Sequence, residues 1–146
     1  MSEVYDIIVV GGGPAGLSAG IYGARSRLKT VILQKGTLGG QAATTAELEN
    51  YPGFPRGTTG PGLTEAMAEH AMSFGTEIIN EEVVKLELDG NIKTARTKGG
   101  GEYSSKIIIL APGAAPRTLN VSRNCGERAF PIVLPVMPTF SKNSMW

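Results

Sequence analysis

A glycine-rich turn set between an apolar strand and a helix constrains this chain more than any other feature. Residues 4–20 read VYDIIVVGGGPAGLSAG. Residues 5–10 are apolar apart from Asp6, which predicts a strand buried on both faces. Gly11, Gly13 and Gly16 then follow as G-x-G-x-x-G, and each has a physical duty. Gly11 permits the tight turn, Gly13 lets backbone N–H groups approach a pyrophosphate, and Gly16 allows a helix to pack closely on the strand. Pro14 and Ala15 open a helix predicted over residues 14–25, with proline in the first turn, where its missing N–H costs least. Leu17, Ile21 and Ala24 share one face, and the positive end of the helix dipole points at the phosphates. A second apolar strand, residues 29–33, completes the βαβ unit that a dinucleotide site requires. The acidic residue usual at its end, which holds the adenosine ribose, is replaced by Gln34. An amide hydrogen-bonds a ribose without charge assistance.

With 146 residues, of which 41% are hydrophobic, there is material for one domain around one core. The net charge is +1 and the basic residues are scattered, which argues against a nucleic acid or an anionic membrane as partner. No apolar stretch reaches the length of a membrane span, and MSEVYD lacks the regions of a signal peptide, so a cytoplasmic location is expected. Cys125 is the sole cysteine, which rules out an intrachain disulfide, a C-x-x-C redox pair and a cysteine-based zinc site. His70, also alone, falls beside Glu65 and Glu69 on a helical segment and reads as a solvated residue. No catalytic residue and no metal ligand set is expected.

Residues 36–60 form a long loop rich in Gly, Thr and Pro, a length usual for functional or disordered segments. Within it Gly39, Gly40 and Gln41 offer bare backbone and an amide, and residues 49–54, ENYPGF, read as a turn. Residues 61–74 carry Leu63, Ala66, Met67, Ala71 and Phe74 at the spacing of an amphipathic helix that Gly75 ends. A short strand is expected at 76–79. Another follows at 83–88, where Val84, Leu86 and Leu88 alternate with Lys85 and Glu87. The turn at 89–91 leads to a strand at 92–97, a glycine turn at 99–101 and a short strand around Tyr103, an antiparallel meander. The run KIIIL at 106–110 then returns to the centre of a parallel sheet. Ala111, Pro112 and Gly113 fall at its carboxyl end, where open α/β sheets bind ligands.

The segments GGGPAGLSAGIYGAR, GTLGGQAATTAELENYPGFP and KIIILAPGAAPR together resemble the FAD-binding domain of the low-molecular-weight thioredoxin reductases, in order and spacing, over about residues 3–119. The resemblance implies an α/β fold: a Rossmann-like FAD-binding domain with a parallel sheet and a small antiparallel β-meander, incomplete at the C-terminus. It implies that Gly11, Gly13, Pro14, Ala15 and Gly16 hold the FAD pyrophosphate and that Gln34 and Lys35 lie near the adenosine ribose. Gly39, Gly40, Gln41 and Asn50 would reach toward the ribityl chain and flavin, the backbone at Val83 would meet the adenine, and Ala111 and Gly113 would pass beside the cofactor. In the intact family NADPH reduces the flavin, which passes electrons through a cysteine pair to a thioredoxin-like partner. Two departures stand out inside the match: Gln34 replaces the usual Glu, and Pro112 replaces the Thr of A-T-G-A, removing a hydroxyl and a backbone donor.

From Val121 onward the resemblance ends, and the genetic code suggests why. Regrouping the codons of residues 129–146, so that each new codon takes the third base of one residue and the first two of the next, can give VSYCATCDADFFKELHV, the family's redox-active segment. The expected organisation is therefore an FAD-binding segment, residues 1–120, and a poorly ordered, out-of-frame tail, residues 121–146, in which Cys125 is a bystander. The chain then reads as the FAD-binding portion of a flavoprotein disulfide oxidoreductase. It is expected to be inactive alone, because the C-x-x-C pair, the NADPH domain and the C-terminal FAD segment are missing. Two alternatives remain at this stage: a non-enzymatic remnant without tight cofactor binding, and an NAD(P)-binding module, although the loop through Gln41 and Asn50 favours FAD. Without the family's C-terminal strand, residues 106–110 would form an exposed apolar sheet edge that promotes self-association.

Overall fold

The computed structural model describes residues 4–54 and 57–114. Strand β1 (Val4–Val10) leads into helix α1 (Pro14–Arg25) and strand β2 (Thr30–Leu33). A short 3₁₀ turn (Gly40–Thr44) precedes helix α2 (Gly60–Ser73) and strand β3 (Glu77–Ile79). Strands β4 (Val83–Glu87), β5 (Lys93–Thr97) and β6 (Glu102–Leu110) complete a single sheet of order β3-β2-β1-β6-β5-β4. Its first half is parallel and its second half antiparallel, with β6 belonging to both, since it runs parallel to β1 and antiparallel to β5. This is the Rossmann-like α/β fold expected from the sequence.

The two faces of the sheet are covered differently. Ile7, Val9 and Ile32 pack under the helices with Leu17, Leu63, Met67 and Ala68, and Ile109 of β6 joins them. On the other face Ile8, Val31 and Leu33 cluster with Ala95, and Val83, Leu86 and Tyr103 of the meander pack against them. The meander thus does the work that a further helix layer does in a doubly wound sheet. Ile8 is fully buried, a burial that stabilises the fold by about 2 kcal/mol relative to exposure.

Local chemistry explains the ends of the elements. Thr59 caps α2 through its Oγ1, which accepts from the Gly62 N–H at 3.1 Å, so the helix starts at Gly60. The one charge in β1 is also accounted for. The Asp6 carboxylate accepts from the Lys106 Nζ at 2.7 Å and from the Lys29 N–H at 2.9 Å, tying β1 to β6 and to the entry of β2. The Lys106 hydrogen bond first, and the Lys29 amide second, hold that carboxyl below its ordinary range.

Three expectations need revision. The strands expected separately around Tyr103 and at 106–110 form one nine-residue strand, β6, because Glu102–Ser105 pairs with β5 while the whole length from Ser104 to Leu110 pairs with β1. In β4 the register shifts between Val83 and Lys85, and the extra residue reverses the parity of the strand. Val83 and Leu86 therefore pack inward, whereas Val84 and Leu88 are exposed. The loop at 36–60 carries its own structure, the 3₁₀ turn and a bridge between Leu48 and Thr58. Toward the carboxyl end of β6, residues 106–110 have no strand partner on the β5 side among the described residues, and Ile107 and Leu110 are 50% and 58% exposed. Among the described residues no helix is long and apolar enough to cross a membrane, and no group of acidic, His or Cys side chains could hold a metal ion. The tail from Val121, with Cys125, lies outside the described residues.

Candidate functional site

Three strand ends meet at the glycine-rich turn. The Ala111 N–H donates to the Val10 carbonyl at 2.8 Å and the Gly11 N–H to the Leu33 carbonyl at 2.9 Å, which locks the carboxyl ends of β6, β1 and β2 side by side. Gly11 has φ +107°, and a Cβ there would lie 2.2 Å from the Ala111 carbonyl oxygen. Gly16 is equally confined, since its Cβ would lie 1.8 Å from the Gly11 carbonyl oxygen. Gly13 differs from both. It precedes α1 with extended backbone, makes no side-chain cap, and has no atom within 4 Å of where its Cβ would be. The first turn of α1 contains no acidic residue, so its positive dipole end is not offset locally. Two glycines pack the turn shut from below and the third leaves it open from above.

A second layer holds this turn in place. The Gly12 carbonyl accepts from the Gly39 N–H at 2.8 Å, and a Cβ on Gly40 would come within 3.4 Å of the Gly13 Cα. Gly39, at φ +94°, rests against Thr64 of α2, where a Cβ would lie 2.5 Å from Oγ1. The 3₁₀ turn is seated on the start of α2: the Gly60 N–H donates to the Thr45 carbonyl at 2.9 Å, and a Cβ on Gly60 would lie 1.8 Å from the Ala42 carbonyl oxygen. At the end of β2, Gln34 is buried. Its Oε1 accepts from the Gly12 N–H, and its Nε2 donates to the Lys35 and Thr37 carbonyls at 2.7 and 2.8 Å. The Gly36 N–H donates to Asn80 Oδ1 at 2.9 Å, and Lys35 Nζ meets Glu82 Oε1 at 2.7 Å. The Lys35 hydrogen bond holds the Glu82 carboxyl below its usual range, against a smaller opposing effect of burial and with further attraction from Lys35 and Lys98. Both side chains are substantially exposed, so the pair adds little stability. It does bring the end of β2 beside Val83 at the start of β4.

Residues 5–132 match the family described as pyridine nucleotide-disulphide oxidoreductase, most of the chain. The chain belongs to that family. Within it, the thioredoxin reductase of Peptoclostridium acidaminophilum is 47% identical over 117 residues, which are 80% of this chain and 37% of that protein. The thioredoxin reductase of Mycolicibacterium smegmatis is 43% identical over 126 residues, 86% of this chain and 39% of that one. Among solved structures, Lactococcus lactis thioredoxin reductase in its FR conformation superposes with a TM-score of 0.76 at 42% identity, covering 80% of this chain and 38% of that chain. The chain thus spans under two fifths of the length of these relatives, and the resemblance seen in the sequence holds over about four fifths of it.

The residues singled out from sequence fall into three places. Gly11, Gly13, Pro14, Ala15 and Gly16 form the turn and the start of α1, with Gly39, Gly40 and Ala111 packed around them. Gln34, Lys35 and Val83 gather at the ends of β2 and β4. Gln41 and Asn50 lie exposed on the loop, where Asn50 makes no side-chain hydrogen bond among the described residues, and Gly113 follows β6 at φ +71°. Sequence reasoning missed Thr64, Gly60, Asn80 and Glu82, which hold the loop and the β2 end. Only Gly60 left a signal, a glycine next to the Pro61 that lies in the first turn of α2. A groove of about 510 Å³ lies elsewhere, between the outer sides of α1 and α2, lined by Tyr22, Tyr51, Phe54, His70 and Phe74 among others. It contains no residue of the glycine-rich turn, which is the candidate site because open backbone N–H groups at a helix N-terminus suit an anion.

Proposed function

We propose that this chain forms the ADP-binding part of an FAD site in a thioredoxin-reductase-like flavoprotein and does not turn over by itself. What supports the reading is the asymmetry of the three glycines: Gly11 and Gly16 are filled by backbone, whereas Gly13 is open at the mouth of α1. Such an opening admits a pyrophosphate to backbone N–H groups at a helix N-terminus. Gly11, Gly13, Pro14, Ala15 and Gly16 would hold that group, Gln34 and Lys35 would border the adenosine ribose, and Val83 the adenine. Gly39, Gly40, Gln41 and Asn50 would extend toward the flavin, with Ala111 and Gly113 alongside. The Gly39 hydrogen bond to Gly12 favours FAD over NAD(P), because it sets the loop beside the turn, where a ligand longer than ADP would extend along it.

The flavin, once bound, supplies hydride and electron transfer; reduction of a thioredoxin-like partner also requires a cysteine pair, and the sole cysteine here is Cys125. The tail from Val121 is read as out of frame, and a one-base or two-base frame change in the gene restores C-A-T-C on this reading. A cytoplasmic setting belongs to the same reading. Purified protein is expected to be yellow and to release FAD on denaturation. Colourless protein that takes up no FAD overturns the proposal in favour of a non-binding remnant, and NADPH binding without flavin affinity overturns it in favour of a nicotinamide module.

The open side of β6 is proposed to associate with a second copy of the chain. Its exposed Ile107 and Leu110 lie on a strand whose outer backbone groups from 106 onward lack a strand partner among the described residues. Concentration-dependent association measured by sedimentation is expected, and Ile107→Lys is expected to suppress it without changing the thermal midpoint by more than about 4 °C. A wild-type chain that stays monomeric at all concentrations defeats the idea.

A further inference from the structure

We propose that Gln34 is a positioning residue that clamps the pyrophosphate turn and takes no part in reading the adenosine ribose. This rests on the dinucleotide reading above and departs from the expectation that the residue at the end of β2 meets the ribose hydroxyls. A side chain that reads a ribose there accepts hydrogen bonds from its hydroxyls, which is why the position is ordinarily a carboxylate. Gln34 has turned its chemistry the other way. Oε1 points at the turn and accepts from the Gly12 N–H, and both amide N–H groups donate to the carbonyls of Lys35 and Thr37. Gln34 as a residue is only 9% exposed, closed in by the very segments it joins.

The pattern of partners shows why an amide stands here. Two backbone carbonyls of the turn after β2 converge on Nε2, and a carboxylate in the same place would set oxygen against oxygen in a buried setting. The turn is therefore built around a donor. The Gly12 residue is gripped on both of its backbone polar groups, its N–H by Gln34 and its carbonyl by the Gly39 N–H. That double grip fixes the stretch between Gly11 and Gly13, and with it the direction of the groups that face a phosphate. Gln34 thus acts on the ligand through Gly12.

The test compares two probes, ADP and 2′,3′-dideoxy-ADP, on the full wild-type chain and on Gln34→Met, by calorimetric titration. Amide hydrogen exchange at Gly12 is followed in both proteins. Gln34→Met is expected to weaken both probes by the same factor, about tenfold, and to speed exchange at Gly12 by at least about tenfold. Loss of affinity for ADP that exceeds the loss for the dideoxy probe by about tenfold assigns Gln34 to the ribose and overturns the inference alone. Unchanged affinity for both probes also overturns it, since the clamp then does nothing for the site. A wild-type chain that binds neither probe overturns the dinucleotide reading and this inference with it. Should the variant not fold, exchange at Gly12 of the wild-type chain decides, and an unprotected amide there rules out the clamp.

Discussion

Gly16→Ala is expected to destabilise the fold by about 3 kcal/mol or more, a large share of the roughly 5–15 kcal/mol that holds a domain of this size together. Helix propensity alone points the opposite way, because alanine inside a helix is favoured over glycine by about 1 kcal/mol. The added methyl decides the sign. It would sit 1.8 Å from the Gly11 carbonyl oxygen, a backbone atom that cannot swing aside, because the Gly11 residue is bonded to Leu33 and packed against Ala111. Relief requires α1 to lift off β1, which opens the cluster of Val9, Leu17 and Ile32. Urea unfolding followed by circular dichroism measures the loss. Gly13→Ala supplies the contrast. Its Cβ meets nothing within 4 Å and its φ is −76°, so stability should change by no more than about 1 kcal/mol. Affinity for FAD should nonetheless fall, because the methyl projects into the space a pyrophosphate must enter. Equal stability of the Gly16→Ala protein and the wild type would falsify the packing argument, whereas unchanged flavin binding by Gly13→Ala would remove Gly13 from the site.

What could be read from the sequence was whatever depends on short-range pattern. The helix over Pro14–Arg25 follows from proline and glycine placed at its start and an apolar stripe behind them, all within twelve residues. The strand–turn–helix at Gly11–Gly16 was legible for the same reason, since its glycines answer to neighbours fixed by the turn itself. The parity of β4 was not legible, because the register shift at Val83 is set by the partner strand β5 and leaves no mark on the alternation of Val84, Leu86 and Leu88. Gln34 shows the same limit at the site. Its identity announced a departure from the usual acid, but what it bonds to depends on carbonyls presented by Lys35 and Thr37 and on the Gly12 N–H 22 residues away. Thr64, buried in α2, reads as an ordinary helix position, and only the close approach of Gly39 gives it a part in holding the loop.

Gly60→Ala is expected to separate the two ends of the site, and its effect is comparable in size. Gly60 is helical, with no positive φ, so conformation gives no reason for glycine, and alanine should raise helix stability by about 0.5–1 kcal/mol. Contact overrides this, because the methyl would lie 1.8 Å from the Ala42 carbonyl oxygen and 2.6 Å from that of Thr45. Both are backbone atoms of the segment that Gly60 holds through its own N–H, so the 3₁₀ turn must leave α2 and that hydrogen bond breaks with it. Overpacking and the lost bond together give an expected destabilisation of about 2–3 kcal/mol. The damage should be local. The β1–turn–α1 unit is anchored by β2 and β6, whereas the loop is held by Gly60, by the Gly39 contacts and by the bridge from Leu48 to Thr58. Limited proteolysis should therefore cut the Gly60→Ala protein faster within residues 40–54. On the proposed reading FAD is released while ADP affinity stays within about threefold, since the flavin end loses its wall and the pyrophosphate turn does not. A variant with wild-type protease resistance contradicts the seating of the loop on α2, and one that loses ADP and FAD together shows that loop and turn act as a single unit.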